Sequence, residues 1–335
     1  MKLLVLGGTR FAGRAVVEAA LAEGTEVTTL NRGHSGTPAA GVTSLIADRT
    51  DKAALRAALG DNTWDAVVDT WSGAPQVVAA ACELLAGRTG HYGYVSTVSV
   101  YQWPIPVGAD EHSAVVAADP GSDSSDDYAA AKRGAELAVL QAFGDRAVLA
   151  RAGLILGPHE DVGRLPWWLR RIQRGGRVLA PGDPATPVQY VDVRDLAAWL
   201  LRAAQDRTSG AFNVICQLGH TTMGELLGAA VAVTGSGAEL VWVPQHVILD
   251  AGIEPWTELP IWLPRGGEFD GMAAVDVTAV YAAGLSCRPV LATVADTWAW
   301  LRADGDPQPR PGRPRLGLDP AKELQVLDNL PAGPA

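Results

Sequence analysis

Cysteine is scarce in this chain and odd in number: Cys82, Cys216 and Cys287 stand far apart. Three such thiols make no disulfide framework and point to reduced, structural cysteines in a cytoplasmic setting. Histidine is thin as well, six residues without ligand-like spacing, so no metal site is expected. Long apolar runs are missing. No segment could span a membrane, and the first apolar stretch breaks at Gly7, too early for a signal peptide, so export is not expected. Basic charge is in deficit, 27 Lys and Arg against 37 Asp and Glu, with a formal net charge of −10. A general nucleic-acid surface needs clustered cations, so no nucleic-acid partner is expected.

What is plentiful is apolar side chain, 48% of 335 residues, enough for one large core and a smaller one. From Met1 to about Arg151, apolar runs alternate with helical patterns. Strands are expected at Leu3–Leu6, Glu26–Leu30, Ala66–Asp69, Tyr92–Ser96 and Ala147–Arg151. Helices are expected at Phe11–Glu23, Lys52–Leu59, Gln76–Leu85 and Tyr128–Phe143. Such alternation predicts an α/β fold, a Rossmann-type doubly wound parallel sheet with helices on both faces. Its domain is residues 1–151, and parts of 188–215 join the core.

Beyond Arg151 the alternation loosens, and residues 152–303 are expected to form mainly a smaller, substrate-binding α/β subdomain. Helices are expected there at Leu165–Arg174, Val193–Gln205, Met223–Thr234 and Val294–Arg302, with strands at Phe212–Ile215 and Leu240–Val243. Tryptophan gathers in this part, and the irregular stretch Glu254–Pro264 carries Trp256 and Trp262, assigned to a substrate pocket wall. Residues 304–335 are expected to form a Pro- and Arg-rich tail, extended to Arg315, with a short helix at Asp319–Leu330.

The chain is organised around its first turn, Gly7-Gly8-Thr9-Arg10-Phe11-Ala12-Gly13, between an apolar strand and a helix. Gly7 can adopt backbone angles closed to other residues, and Gly13 allows close helix–sheet approach. The open helix N-terminus then faces an anion, most simply a dinucleotide pyrophosphate. A second strand follows at βαβ spacing, which strengthens the reading.

In a parallel sheet, ligands sit beyond the carboxyl ends of the strands. After the second strand comes Asn31-Arg32, where an NAD site usually carries an acidic residue for the ribose hydroxyl. Asn31 removes that carboxylate, and Arg32 offers a planar cation suited to a 2′-phosphate, with Arg10 within possible reach. NADP(H) is therefore favoured over NAD(H). Asp48-Arg49 follow, with the Asp48 carboxylate placed to accept from an adenine amino group. Trp71 should run beside the cofactor, as wall or as core.

Tyr128 and Lys132 lie four apart and share one helix face, behind the segment Ser96-Thr97-Val98-Ser99-Val100-Tyr101. A phenol near pH 10 is a poor proton shuttle at neutrality, and a neighbouring ammonium lowers that value. Thr97, and Ser99 beyond it, stand where a substrate oxygen could be held.

Taken together, Gly7-Gly-Thr-Arg-Phe-Ala-Gly13, Ser96-Thr-Val-Ser-Val-Tyr101, Tyr128-Ala-Ala-Ala-Lys132, Arg151-Ala-Gly-Leu-Ile-Leu-Gly-Pro158 and Val191-Asp-Val-Arg-Asp-Leu-Ala197 resemble the extended short-chain dehydrogenase/reductase superfamily. The group is that of the NAD-dependent epimerases and dehydratases, and the likeness spans roughly the first 300 residues. It implies Tyr128 as acid/base, Lys132 on the nicotinamide ribose, Thr97 orienting the substrate, and Gly7 and Gly13 as cofactor-loop glycines. Arg10 replaces the middle glycine of the usual loop and resembles an atypical branch. Val98 and Ser99 stand where dehydratases carry Asp and Glu, so elimination lacks its acid and base. Val188 stands where nucleotide-sugar epimerases place an arginine for the diphosphate, unless Arg164, Arg170 or Arg265 substitutes.

The expected activity is that of an NADP(H)-dependent reductase acting on a carbonyl-type carbon of a small, fairly apolar metabolite. One alternative is an epimerase with tightly held NAD(P). Another is a non-catalytic NADP- or RNA-binding protein, since the first turn is similar to that of chloroplast stem-loop-binding RNA-processing proteins; a redox-sensing regulator is a third. A homodimer through Gln76–Leu85 and Tyr128–Phe143 is implied by the superfamily likeness alone.

Overall fold

In the computed structural model, which describes residues 1–34, 39–307 and 316–330, the strand that opens the chain lies in the middle of a parallel sheet. Leu3, Leu4, Val5 and Leu6 are buried in succession. Four consecutive buried residues with no polar alternation are what a strand covered on both faces requires.

In chain order the first elements are β1 (Lys2–Leu6), α1 (Phe11–Ala22), β2 (Glu26–Asn31), β3 (Thr43–Ile46), α2 (Lys52–Leu59) and β4 (Trp64–Asp69). Next come α3 (Pro75–Leu85), β5 (Thr89–Thr97), α4 (Tyr128–Phe143), β6 (Ala147–Ala152) and β7 (Leu154–Leu156). Then follow α5 (Arg164–Gln173), β8 (Arg177–Pro181), β9 (Tyr190–Asp192), α6 (Val193–Asp206) and β10 (Gly210–Val214). The last are α7 (Met223–Thr234), β11 (Glu239–Val243), α8 (Gln245–Asp250), α9 (Thr278–Ala282), α10 (Val290–Asp304) and α11 (Pro320–Asp328).

The chain divides into two units. The first takes residues 1–155, 191–216 and 274–287. It holds a seven-stranded sheet in the order β10-β6-β5-β4-β1-β2-β3, every neighbouring pair parallel. This is the doubly wound Rossmann-type α/β fold. Strand order reverses between β1 and β4, and the crevice at such a reversal is where open α/β sheets take ligands. Helices α3 and α4 pack together, and α1 packs on α6. Leu55, Leu59, Val78, Leu85, Tyr92 and Phe143 belong to one buried cluster with the strand residues.

The second unit takes residues 156–190, 217–273 and 288–335. In it β8 pairs with β11 in parallel, and α7 packs on α5 and α10. Helix α7 starts with a full capping box, Thr222 and Glu225 satisfying each other's backbone N–H groups. The short last helix is docked here. Its buried Glu323 accepts from Arg171 Nε at 2.6 Å and from the Leu179 amide at 3.0 Å.

Four strands escape the sequence pattern: β3, β8 and the three-residue β7 and β9. β3 is an edge strand whose residues are mostly exposed, so it carries no apolar run. β8 follows the pair Gly175-Gly176 and ends at Pro181, and both features read as loop. The extended stretch expected up to Arg315 falls partly on residues 308–315, outside the described residues. Among the described residues no helix is long and apolar enough to cross a membrane.

Candidate functional site

The first turn is built on glycine geometry. Gly7 and Gly8 have φ of +125° and +100°, and Phe11, itself buried, has φ of +29°. A Cβ on Gly7 would lie 2.6 Å from Thr70 Oγ1, and one on Gly13 would lie 2.6 Å from the Gly8 nitrogen. The turn can therefore be neither filled nor straightened. Arg10 is exposed at the N-cap of α1 and its side chain caps nothing, which leaves the first amides of that helix without a side-chain acceptor. Thr9 and Ala12 complete the turn, half-buried.

At the end of β2, Asn31 Oδ1 accepts from the Gly33 amide at 2.8 Å. Its Nδ2 is buried without a hydrogen-bond partner among the described residues. A buried donor with no acceptor is costly and fits a ligand oxygen. Arg32 is exposed beside it. Asp48 is exposed too, its carboxylate held by the Thr50 amide at 2.9 Å and hydroxyl at 2.8 Å. Those bonds, with smaller help from the Arg32 and His34 charges, keep its pKa below the ordinary value.

Arg49 departs from the expectation. Instead of lying beside Asp48 on the open edge, its guanidinium is buried and grips Asp69 at the end of β4 through Nη1–Oδ1 at 2.6 Å and Nη2–Oδ2 at 2.7 Å. Asp48 is exposed while Arg49 is buried, so the dipeptide splits between solvent and core. Asp69 is 0% exposed and also accepts from Tyr92 Oη at 2.7 Å and the Trp71 amide at 2.9 Å. Burial opposes its ionisation, but the Arg49 charge and these bonds hold its carboxyl below the usual range.

Trp71 is half-buried under the Arg49 guanidinium, 5.1 Å from its ring centroid, with its indole N–H on Ala74 O at 3.0 Å. Helix α4 begins at Tyr128 because Asp127 caps it, accepting from the Ala130 amide at 3.0 Å. Tyr128 is 43% exposed at that helix start, whereas Lys132, one turn on, is 3% exposed. Lys132 Nζ donates to Trp71 O at 2.7 Å, Tyr94 Oη at 2.9 Å and Val95 O at 2.6 Å. Burial pulls its pKa down to about 7, Asp69 and Glu136 opposing the fall and Arg49 adding to it. Thr97 ends β5, and its Oγ1 accepts from the Ser99 amide at 3.2 Å while donating to Ser99 Oγ at 3.2 Å. Helix α4 packs on β5, so both motifs belong to one edge of the first unit.

Trp256 and Trp262 lie in the second unit. Trp256 has φ of +67°, and the Arg164 guanidinium sits 4.7 Å from its ring centroid. Trp262 is 2% exposed and lines a cavity of about 430 Å³ with Asp183, Thr186, Gln245 and Arg265.

The sequence pattern of the NAD dependent epimerase/dehydratase family matches residues 3–215. The chain belongs to that family. Its fold is similar to that of the Bordetella bronchiseptica enzyme WbmH, solved in complex with NAD+, at 21% identity and a TM-score of 0.66 over 91% of this chain and 99% of that one. Similar too is the UDP-glucose 4-epimerase of Thermotoga maritima, solved with UDP-glucose, at 19% identity and 0.66 over 90% and 99%. The UDP-N-acetylglucosamine 4-epimerase of Bacillus cereus is 16% identical, with a TM-score of 0.65 over 90% and 99%. Among curated proteins none matches the chain in sequence.

Within this family member, sequence reading passed over the buried polar residues under the site: Asp69, Tyr92, Tyr94, Glu136 and Arg151. Glu136 carried a signal, since Tyr128, Lys132 and Glu136 recur every four residues along one face of α4. Asp69 carried another, as the one charge in the run Ala66–Asp69.

Proposed function

We propose that this chain is an NADP(H)-dependent hydride-transfer enzyme that reduces a carbonyl-type carbon of a small, fairly apolar metabolite, with Tyr128 as acid/base. The observation that carries the reading is the pairing on α4 of a buried ammonium, Lys132, with a phenol one turn away at the open end of the helix. When bound, the coenzyme supplies hydride in one direction and accepts it in the other. The residues that would hold it are Gly7 to Gly13 for the pyrophosphate, Asn31 and Arg32 for the adenine ribose and its phosphate, Asp48 for the adenine, and Trp71 at the ring end.

Arg32 is a permanent cation beside the unsatisfied Asn31 amide, a donor-only edge that suits a phosphate better than a free hydroxyl. Thr97 Oγ1 holds the substrate oxygen, with Ser99 beside it. Tyr128 delivers the proton to that oxygen, or removes it in reverse. Lys132 favours the ionised phenol and meets the ribose by exchanging one of its three protein acceptors. Trp256 and Trp262 are assigned to the substrate. The absence of an acid–base pair at Val98 and Ser99 disfavours elimination.

Calorimetry with NADPH and NADH, on the wild type and on Arg32→Ala, tests the coenzyme part. Tighter NADPH binding that Arg32→Ala abolishes supports the reading, and no heat with either coenzyme overturns it. Tyr128→Phe should keep that binding and lose turnover.

A second reading, epimerisation with a retained coenzyme, is favoured by the Arg265-bearing cavity of the second unit and by the similarity in fold to sugar-nucleotide 4-epimerases. Stoichiometric nicotinamide released on denaturing the purified protein, with turnover needing no added coenzyme, would select it.

A further inference from the structure

Beneath Tyr128 and Lys132 lies an ion pair for which coenzyme binding has no use. Asp69 has four donors on its two oxygens: Arg49 Nη1 and the Trp71 amide on Oδ1, Arg49 Nη2 and Tyr92 Oη on Oδ2. Burying two charges costs more than packing two apolar side chains of similar volume, so stability alone is a weak reason for such a pair. Its geometry supplies another. The Asp69 carboxylate fixes the Trp71 amide, and the Arg49 guanidinium covers the Trp71 ring. The carbonyl of the same residue then accepts from Lys132 Nζ at 2.7 Å and from Tyr94 Oη at 3.0 Å.

We propose that the buried Arg49–Asp69 pair is a positioning device for Lys132: it fixes the Trp71 backbone that holds the ammonium, with the Asp69 carboxylate as its buried counter-charge. Charged and titratable groups face Lys132 from three sides. Asp69 acts from the end of β4 and Arg49 from the loop between β3 and α2, the Tyr94 phenol from β5, and Glu136 and Tyr128 from α4 itself. Burial drives the ammonium toward neutrality, and Asp69 is the largest influence working the other way. Without it, Lys132 would lose its charge below neutral pH and with it the means to favour an ionised Tyr128. Arg49 acts at one remove, keeping Asp69 ionised and in register.

The proposal rests on Lys132 serving Tyr128, yet it is testable on Lys132 alone, without coenzyme or substrate. The chain has only four lysines, Lys2, Lys52, Lys132 and Lys322. Growth on lysine enriched with carbon-13 at the ε position gives four signals, and Lys132→Met identifies the one of interest. Its pH midpoint is then followed in wild type, in Asp69→Asn, and in the double variant Arg49→Met with Asp69→Leu, which removes the pair as a unit and leaves no lone buried charge. A wild-type midpoint near 7 that falls by about 1–3 pH units in Asp69→Asn, and by less in the double variant, where the opposing Arg49 charge goes too, supports the proposal. Tyr92→Phe loosens the same carboxylate without removing a charge, and should leave the midpoint in place. An unmoved midpoint in a folded charge variant overturns the proposal. So does failure of both charge variants to fold, which would make the pair structural. Loss of coenzyme binding in the wild type would instead overturn the functional reading and leave this result standing.

Discussion

Glu136 and Arg151 meet through two parallel hydrogen bonds, Nε–Oε1 at 2.9 Å and Nη2–Oε2 at 3.0 Å, with both side chains buried. Ser96 Oγ, next to Thr97, donates to the same carboxylate at 2.7 Å. One pair thus ties the helix of Tyr128 and Lys132 to the strand ends at β5 and β6. Arg151 also reaches Tyr101 Oη at 3.2 Å, and that phenol donates to Asn213 at 2.7 Å.

Glu136→Gln strands the Arg151 cation and should cost about 3–5 kcal/mol in urea unfolding at pH 7. Burial raises the Glu136 pKa, but Arg151, Ser96 and Arg133 more than reverse this, so the folded value lies below the ordinary one. The stability it contributes is therefore present above the unfolded pKa and fades as pH falls through the folded one. The gap between wild type and variant should close below about pH 4. A gap that persists there would contradict the assignment.

Gly13→Ala places a methyl group 2.6 Å from the Gly8 nitrogen. Overpacking against backbone should cost roughly 1–3 kcal/mol and open the turn. Coenzyme affinity should fall at least about tenfold, a loss of 1.4 kcal/mol or more in binding. Gly87→Ala is the control, since a Cβ there meets nothing within 4 Å. Equal behaviour of the two variants in calorimetry and thermal melts would refute the argument.

Glu160, fully buried in the second unit, accepts from the Arg164 amide at 2.7 Å and the Leu165 amide at 3.1 Å. Burial nonetheless pushes its pKa up to about 7. A raised folded value contributes stability below the unfolded pKa that is lost as pH rises toward 7. Glu160→Gln mimics the protonated form, so it should gain on wild type across that window, by roughly 3 kcal/mol at most. Parallel stability–pH curves for the two proteins would exclude the shift.

Thiol reactivity separates the three cysteines. Cys82 is buried, and burial pushes its pKa up to about 12; Cys216 is buried as well, and Cys287 is half-exposed. Ellman's reagent should therefore modify Cys287 first in the native protein, and the other two only on unfolding. Cys287→Ser should remove the fast phase.

The central sheet was legible because its strands are continuous apolar runs and its helices show their caps: Lys52–Leu59 and Tyr128–Phe143 start after Asp51 and Asp127. Edge strand β3 has no apolar face to announce it, and β8 hides between glycines and a proline. At the site, residues set by local chemistry could be read, such as the glycine turn and the Tyr128–Lys132 spacing. The inward turn of Arg49 could not. Its partner Asp69 is 20 residues away, and their meeting depends on how β4 lies across the sheet. Long-range pairing of two charges leaves no periodic trace in a sequence.

The first unit is assembled from three separate stretches, 1–155, 191–216 and 274–287. A fragment ending at residue 155 would carry the whole glycine turn and every proposed acid/base residue. It would still lack α6, which covers α1, and β10, which borders β6. Such a fragment would bare an apolar helix flank and a raw strand margin, inviting self-association. During synthesis the leading half must likewise wait, partly uncovered, until α6 and β10 have emerged, the latter ending at Val214. Removing the trailing half to isolate a minimal coenzyme binder would yield aggregate.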